Sequence, residues 1–229
     1  MHAVHRKWSS FPPRRRIELL AIAGAVAAFV VVFLKLADSV RESELVVRSD
    51  QNTLEFVLRH RVGWISTTAR MVTVVGSGWI VALVVAGAAI VLALRRRPVD
   101  ALFVVMSVIG TAIAVAVVKH AVGRPRPALH DRLVSATGAA FPSGHAAQSI
   151  ACYGALAVVV VLASRSNRVR TFAMVAAAVV AFAVGGSRIY LGVHWLSDVV
   201  GGWLLAAGWL LALIGIRAIV VPSSTGSPP

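Results

Sequence analysis

The stretch from Ser187 to Asp198 holds Arg188, His194 and Asp198 between two long apolar segments. Ionisable groups at the edge of a hydrocarbon phase are costly to keep there, so they point first to chemistry. If the chain after Gly192 is helical, His194 and Asp198 lie one turn apart on one face. An aspartate in that place accepts a hydrogen bond from one ring nitrogen and leaves the other free to attack. A plainer reading stands beside it: a surface histidine next to an unrelated acid at a helix start.

Two more stretches carry suitable groups. Lys119, Arg124 and Arg126 fall within nine residues that end in Arg126-Pro127. Lysine and arginine there can bind an anion, arginine through paired donors, while the prolines stop the preceding helix. Basic flanking of a membrane span would look alike, but this stretch falls on the side where positive flanks are not expected. The third stretch is Phe141-Pro142-Ser143-Gly144-His145. Ser143 stands as an N-cap, Gly144 permits close backbone approach, and the free N–H groups of a helix start bind anions. His145 is placed to give a proton to a leaving group. The alternative is a capping turn with an incidental histidine.

The elements that must position these groups are membrane helices. Of 229 residues 58% are hydrophobic, and the mean hydropathy is +0.82. Both values exclude an ordinary soluble domain. Apolar runs of spanning length occur at about 17–37, 71–94, 99–118, 145–163, 171–186 and 196–221. The expected fold is therefore all-α, a polytopic membrane protein with six transmembrane helices, because hydrocarbon demands internally satisfied backbone groups. The formal charge of +14 does not argue for nucleic acid, since the basic residues gather at the ends of apolar runs. Cys152, the single cysteine, allows neither an intramolecular disulfide nor a cysteine-based metal site.

Basic connections after spans two and four, with the basic N-terminus, place both termini in the cytoplasm. Loops 38–70, 119–144 and 187–195 then face outward, and all three polar stretches meet on that side. Residues 1–16 read as a basic cytoplasmic segment in which Pro12-Pro13 opposes a helix. The run 17–37 reads as a retained anchor rather than a signal peptide, despite Arg14-Arg15. One membrane domain covers 17–221, and 222–229 reads as a disordered tail. Residues 54–65 show helical spacing, with Asn52 or Thr53 as cap. They read either as an amphipathic helix on the membrane surface, with Trp64 at headgroup level, or as a solvent-facing helix packed on the protein. Gly201-Gly202 and Gly208 are expected to permit close helix packing.

Taken in order, Lys119-x6-Arg126-Pro127, Pro142-Ser143-Gly144-His145 and Ser187-Arg188-x5-His194-x3-Asp198 resemble the type 2 phosphatidic acid phosphatase (PAP2) family. The resemblance implies His194 as nucleophile, Asp198 as its orienting partner, and His145 as general acid and then base. It implies Lys119, Arg126, Ser143, Gly144 and Arg188 as binders of the substrate phosphate. Arg124 falls outside the fixed family positions, with loop electrostatics as its default role.

The expected activity is that of a membrane phosphatase acting on a lipid phosphate or diphosphate through a phosphohistidine, without cofactor or metal. Candidate substrates are polyprenyl diphosphates such as undecaprenyl diphosphate, phosphatidylglycerol phosphate and phosphatidate. The apparent surplus of cations, with Arg124 and Arg132 counted in, favours the first two. A phosphotransferase would share the same covalent half-reaction. A phosphate-lipid transporter would need broken mid-span helices, and the sequence shows none. A haloperoxidase fits a membrane-embedded chain less well. The lipid bilayer and a lipid substrate are the expected partners, with no nucleic acid.

Overall fold

A computed structural model describes residues 12–221; the first eleven residues and the tail from 222 lie outside it. Most of the described residues are helical. Helix α1 spans Pro13–Glu42, α2 spans Glu44–Arg59, α3 spans Gly63–Val75 and α4 spans Gly78–Leu94. Helix α5 follows at Pro98–Val122. A 3₁₀ turn at Leu129–Asp131 sits in the long loop after it. Helix α6, Gly144–Ser149, runs through a π-helical turn at Ile150–Gly154 into α7, Ala155–Ala163. Helices α8, Asn167–Tyr190, and α9, Leu196–Val220, complete the chain.

Five of these segments are long and apolar enough to cross a membrane unaided: α1, α5, α6–α7, α8 and α9. Helices α3 and α4 are long and apolar enough only when taken together, and they are bent by 45° at Gly76–Ser77, the shape of a broken span or a re-entrant loop. This corrects two expectations, an unbroken second span and the absence of any broken helix. At the break the chain packs closely on its neighbours: a Cβ on Gly76 would stand 2.4 Å from a Val184 methyl and 3.3 Å from the His145 carbonyl oxygen. The chain therefore passes close beside the start of α6 where a larger residue would not fit.

Three smaller expectations also change. Pro12 and Pro13 open α1 instead of opposing it, because a proline in the first turn loses no hydrogen bond there. Residues 54–65 are not one helix; α2 ends at Arg59 and α3 begins at Gly63. Asn52 and Thr53 lie inside α2, where Thr53 Oγ1 donates to the Ser49 carbonyl at 2.8 Å. The bend between α2 and α3 is clamped to α8: Arg61 donates to the Tyr190 carbonyl at 2.9 and 3.2 Å. The Tyr190 hydroxyl accepts from Val62 N–H at 3.0 Å.

Helix α9 is the centre of the bundle. It packs on α1, α5 and α6, and Gly201, Gly202, Ala206, Gly208 and Gly215 are all buried. Between lipid-immersed helices the hydrophobic effect gives little driving force, so close van der Waals packing of small residues must hold them. A Cβ on Gly202 would lie 2.6 Å from the Ser143 carbonyl, and one on Gly201 would lie 2.4 Å from the Phe141 ring. Glycine pairing here therefore seats the Phe141–Ser143 loop directly against α9. Phe141 is fully buried and stacks on Phe33 of α1 at 5.8 Å. The π turn is braced from α5, where Ser107 Oγ donates to the Ala151 carbonyl at 2.8 Å. Large apolar side chains such as Leu102, Ile113, Phe172 and Phe182 are exposed. Lipid is their natural solvent.

Candidate active site

His194 lies in the short connection between α8 and α9, not on a helix. The expected one-turn spacing on a shared helix face is therefore replaced by a capping geometry. Trp195 is the N-cap of α9, and Asp198 Oδ2 reaches back to accept the Trp195 N–H at 2.9 Å. The same oxygen stands 3.3 Å from His194 Nδ1. An acid in the first turn also suits the positive end of the helix dipole. Local capping thus fixes the carboxylate, and the carboxylate fixes the ring.

The other ring nitrogen, His194 Nε2, lies 3.0 Å from Arg126 Nη1. Arginine can only donate, so Nε2 is the acceptor and the ring proton sits on Nδ1, facing Asp198. Both neighbours therefore select one tautomer, with the Nε2 lone pair aimed at the cations. Burial lowers the His194 pKa to about 4, against the opposing pull of Asp198 and with added lowering from Arg126 and Arg188. The imidazole is neutral near physiological pH.

Arg126 is wired to the backbone. It donates to the carbonyls of Val193 at 2.7 Å, Gly138 at 3.0 Å, Thr137 at 3.0 Å and Ala139 at 3.3 Å. Burial lowers its pKa from the usual value while Asp198 opposes the shift. Lys119 occupies the last turn of α5 and donates to the Ala139 carbonyl. Arg188 is buried in the last turn of α8; its Nη1 donates to Thr73 Oγ1 at 2.7 Å, and its Nε–H has no partner. Carbonyls and a hydroxyl hold these cations in place without cancelling their charge.

Ser143 is the residue before α6, as expected, but its hydroxyl caps nothing. Its Oγ is buried without a partner, and its N–H donates to the Asp198 backbone carbonyl at 2.9 Å. Gly144, His145 and Ala146 begin α6, and the N–H groups of a first turn have no acceptor within the helix. His145 lies within electrostatic reach of Arg188, His194, Arg126 and Lys119. The structure thus gathers all eight expected residues at one end of the bundle. The buried orphans there are Ser143 Oγ and Arg188 Nε, donors suited to an anion.

Arg124 is a different matter. It is buried, with Nη1 donating to Asp198 Oδ1 at 2.6 Å and to Ser197 Oγ at 2.7 Å. Its Nη2 donates to Asp50 Oδ2 at 2.6 Å. Asp50, on α2, also accepts from the Ser197 N–H at 2.9 Å and the Ser197 hydroxyl at 2.5 Å. Arg132 is likewise committed, donating to the Pro127 carbonyl at 2.8 and 2.5 Å. Neither arginine is spare charge, so the surplus expected from their number is not there. Asp50, Ser197 and Thr73 were missed from the sequence. A lone aspartate in an amphipathic helix carries no signal by itself, although one on an inward face with Leu54 could have been noticed.

The bundle and its polar end define a class. The sequence profile of the PAP2 superfamily matches residues 100–220, more than half of the chain. The chain belongs to that superfamily and is a multi-pass membrane protein. A stretch of 91 residues is 37% identical to phosphatidylglycerophosphatase B of Bacillus subtilis (strain 168), covering 39% of this chain and 44% of that protein. The match to this curated relative thus spans less than half of its length. Among solved structures, a transmembrane PAP2-type phosphatidylglycerolphosphate phosphatase from Bacillus subtilis superposes with a TM-score of 0.75 at 24% identity. That superposition covers 83% of this chain and 94% of the other. LpxE of Aquifex aeolicus gives 0.55 at 21% identity, over 73% and 94% of the two chains.

Proposed function

We propose that this protein is a membrane phosphatase that removes the terminal phosphate of a lipid through a phosphohistidine. The observation that carries the reading is the His194 ring, held by Asp198 on one nitrogen and turned toward Arg126 with the other. In the first step a substrate phosphate enters between Arg126 and the ring. The Nε2 lone pair forms a P–N bond, and the bond from phosphorus to the lipid oxygen breaks. His145 gives its proton to the departing oxygen. In the second step His145 takes a proton from water, whose oxygen attacks phosphorus as the P–N bond breaks and inorganic phosphate leaves. Lys119, Arg126 and Arg188, with Ser143 and the N–H of Gly144, grip the phosphoryl oxygens as charge builds on them. This cationic set takes the part a divalent metal plays in other phosphatases.

Phosphatidylglycerol phosphate is the favoured substrate, since the relative similar over 91 residues is named for it. A preference for diphosphates loses its support once Arg124 and Arg132 are paired internally. The clustering of basic residues at the other ends of the spans supports an extracytoplasmic site, where a lipid can present its headgroup without leaving the bilayer. The test is phosphate release by purified protein from phosphatidylglycerol phosphate, phosphatidate and polyprenyl diphosphate, with rapid quench for an acid-labile, base-stable phosphoenzyme. Turnover of phosphatidylglycerol phosphate with no such species at any time would overturn the covalent mechanism.

A further inference from the structure

Behind His194 and Asp198 lies a buried chain of charges that the phosphoryl chemistry above does not use. Asp198 and Asp50 are 0% and 2% exposed, and Arg124 between them is 8% exposed. Asp198 Oδ1 meets Arg124 Nη1 at 2.6 Å, and Arg124 Nη2 meets Asp50 Oδ2 at 2.6 Å. Every partner of the two carboxyl groups is a donor: the guanidinium, the N–H groups of Trp195 and Ser197, the Ser197 hydroxyl and the His194 ring. Acceptor oxygens alone can satisfy all of these donors.

An arginine alone on Asp198 would create a difficulty. It would orient the carboxylate, but its charge would cancel the one that His194 needs. Attack on phosphorus makes the imidazole cationic, and a nearby negative charge lowers the cost of that step. A neutral Arg–Asp pair would offer much less. A bare buried Asp198 would meet a heavy desolvation cost and lose its fixed geometry.

We infer that Asp50, on α2, is a positioning residue that balances Arg124, so that Asp198 stays both fixed and negatively charged toward His194. Two carboxylates about one guanidinium leave one negative charge in excess, the charge of a lone aspartate, with Asp198 locked from behind. This assigns a task to the 38–70 segment: α2 closes over the start of α9 and supplies that carboxylate. Ser197 ties the two ends together, donating both its N–H and its hydroxyl to Asp50.

This inference rests on the phosphohistidine reading and makes a signed prediction. The charged groups that act on His194 are Asp198 on α9, Arg126 of the long loop and Arg188 on α8, with His145 on α6 nearby. None of these changes when Asp50 or Arg124 is substituted. Phosphoenzyme formation is measured in single turnover across pH, with phosphate-labelled phosphatidylglycerol phosphate in detergent. Removing a negative charge makes His194 harder to protonate, so Asp50→Asn should move the acid limb to lower pH. The same variant should cut the rate about 10- to 100-fold with KM changed less than about threefold, in the manner of an Asp→Asn change that spares substrate contacts. Arg124→Gln should move the limb to higher pH. The double variant should bring it back toward wild type and run faster than Asp50→Asn alone.

A merely structural strut predicts something else: lower melting temperatures in all three variants, the double worst, with the acid limb unmoved. That result, or shifts of the same sign in both single variants, overturns the proposal. If one single variant fails to fold, the other compared with the double must still show the stated sign. Absence of a phosphoenzyme in the wild type, or full turnover by His194→Ala, would sink the parent reading before any Asp50 variant is compared.

Discussion

Each end of this bundle holds a buried aspartate with arginine, and the two are built to opposite plans. At the end away from the candidate site, Asp100 of α5 is held by Arg97 at 2.6 Å and by Arg217 of α9 at 2.9 Å. Two guanidinium groups cover one carboxylate and tie the start of α5 to the end of α9. At the other end one guanidinium, Arg124, serves two carboxylates, while Lys119, Arg126 and Arg188 lean on carbonyls and a threonine hydroxyl. Carbonyl dipoles orient a cation without neutralising it, whereas a carboxylate neutralises it. The first end is a clasp; the second is an anion site with its charge kept available.

The sharpest way to break this comparison is at His194. Replacing it with alanine should lower turnover about 10⁴-fold or more, as expected for loss of a nucleophile, and should abolish the trapped phosphoenzyme. Measurable steady turnover by that variant would remove the candidate site from the reaction.

Next come paired substitutions at the two ends. Arg126→Ala should reduce kcat/KM by about 10²–10³-fold, with a small change in melting temperature. Asp100→Asn should do the reverse. It leaves Arg97 and Arg217 without their carboxylate, costing about 1–3 kcal/mol of stability, while the folded fraction keeps wild-type kcat/KM. Thermal melts beside kinetics for the two variants decide it, and equal effects on both measures would dissolve the distinction between clasp and site.

A subtler measurement is pH. His194 reacts as the neutral imidazole, and its pKa is lowered to about 4, chiefly by burial. Phosphoenzyme formation should therefore survive as pH falls through the ordinary histidine range near 6.5 and fail only near 4. An acid limb that follows single-turnover phosphorylation at the ordinary value would mean a wetter, less buried ring in the working enzyme.

The smallest expected effect is none. Excess EDTA should leave the rate unchanged, because the cations at the site end are free to meet an anion. Loss of activity on chelation, restored by one divalent ion, would show that the phosphate is held in another way.

Much of the fold is legible in the sequence. Apolar runs of spanning length announce helices because hydrocarbon admits few alternatives. The polar stretches announce themselves because ionisable residues at span ends are conspicuous there. Ends of helices are less legible: α8 continues past the expected 186 to include Arg188, and α1 begins at Pro13. The close packing at the Gly76–Ser77 break was hidden, since Val184 and His145 reach it from other helices. His194 and Asp198 were expected to meet on a helix face, and they meet instead through the cap of α9.

By its sequence alone this chain determined that it is a helical membrane protein with a histidine pair, a serine and a set of cations brought toward one end. Residue type, spacing and the intolerance of hydrocarbon for stray charge suffice for that. Only the tertiary structure decided which arginines serve the site and which hold the frame. Arg124 and Arg126 stand two places apart, yet one is bound to carboxylates 74 positions away in each direction while the other faces the imidazole. The physical reason is that a guanidinium takes its role from its partners, and these partners come from helices and loops that meet only when the bundle closes.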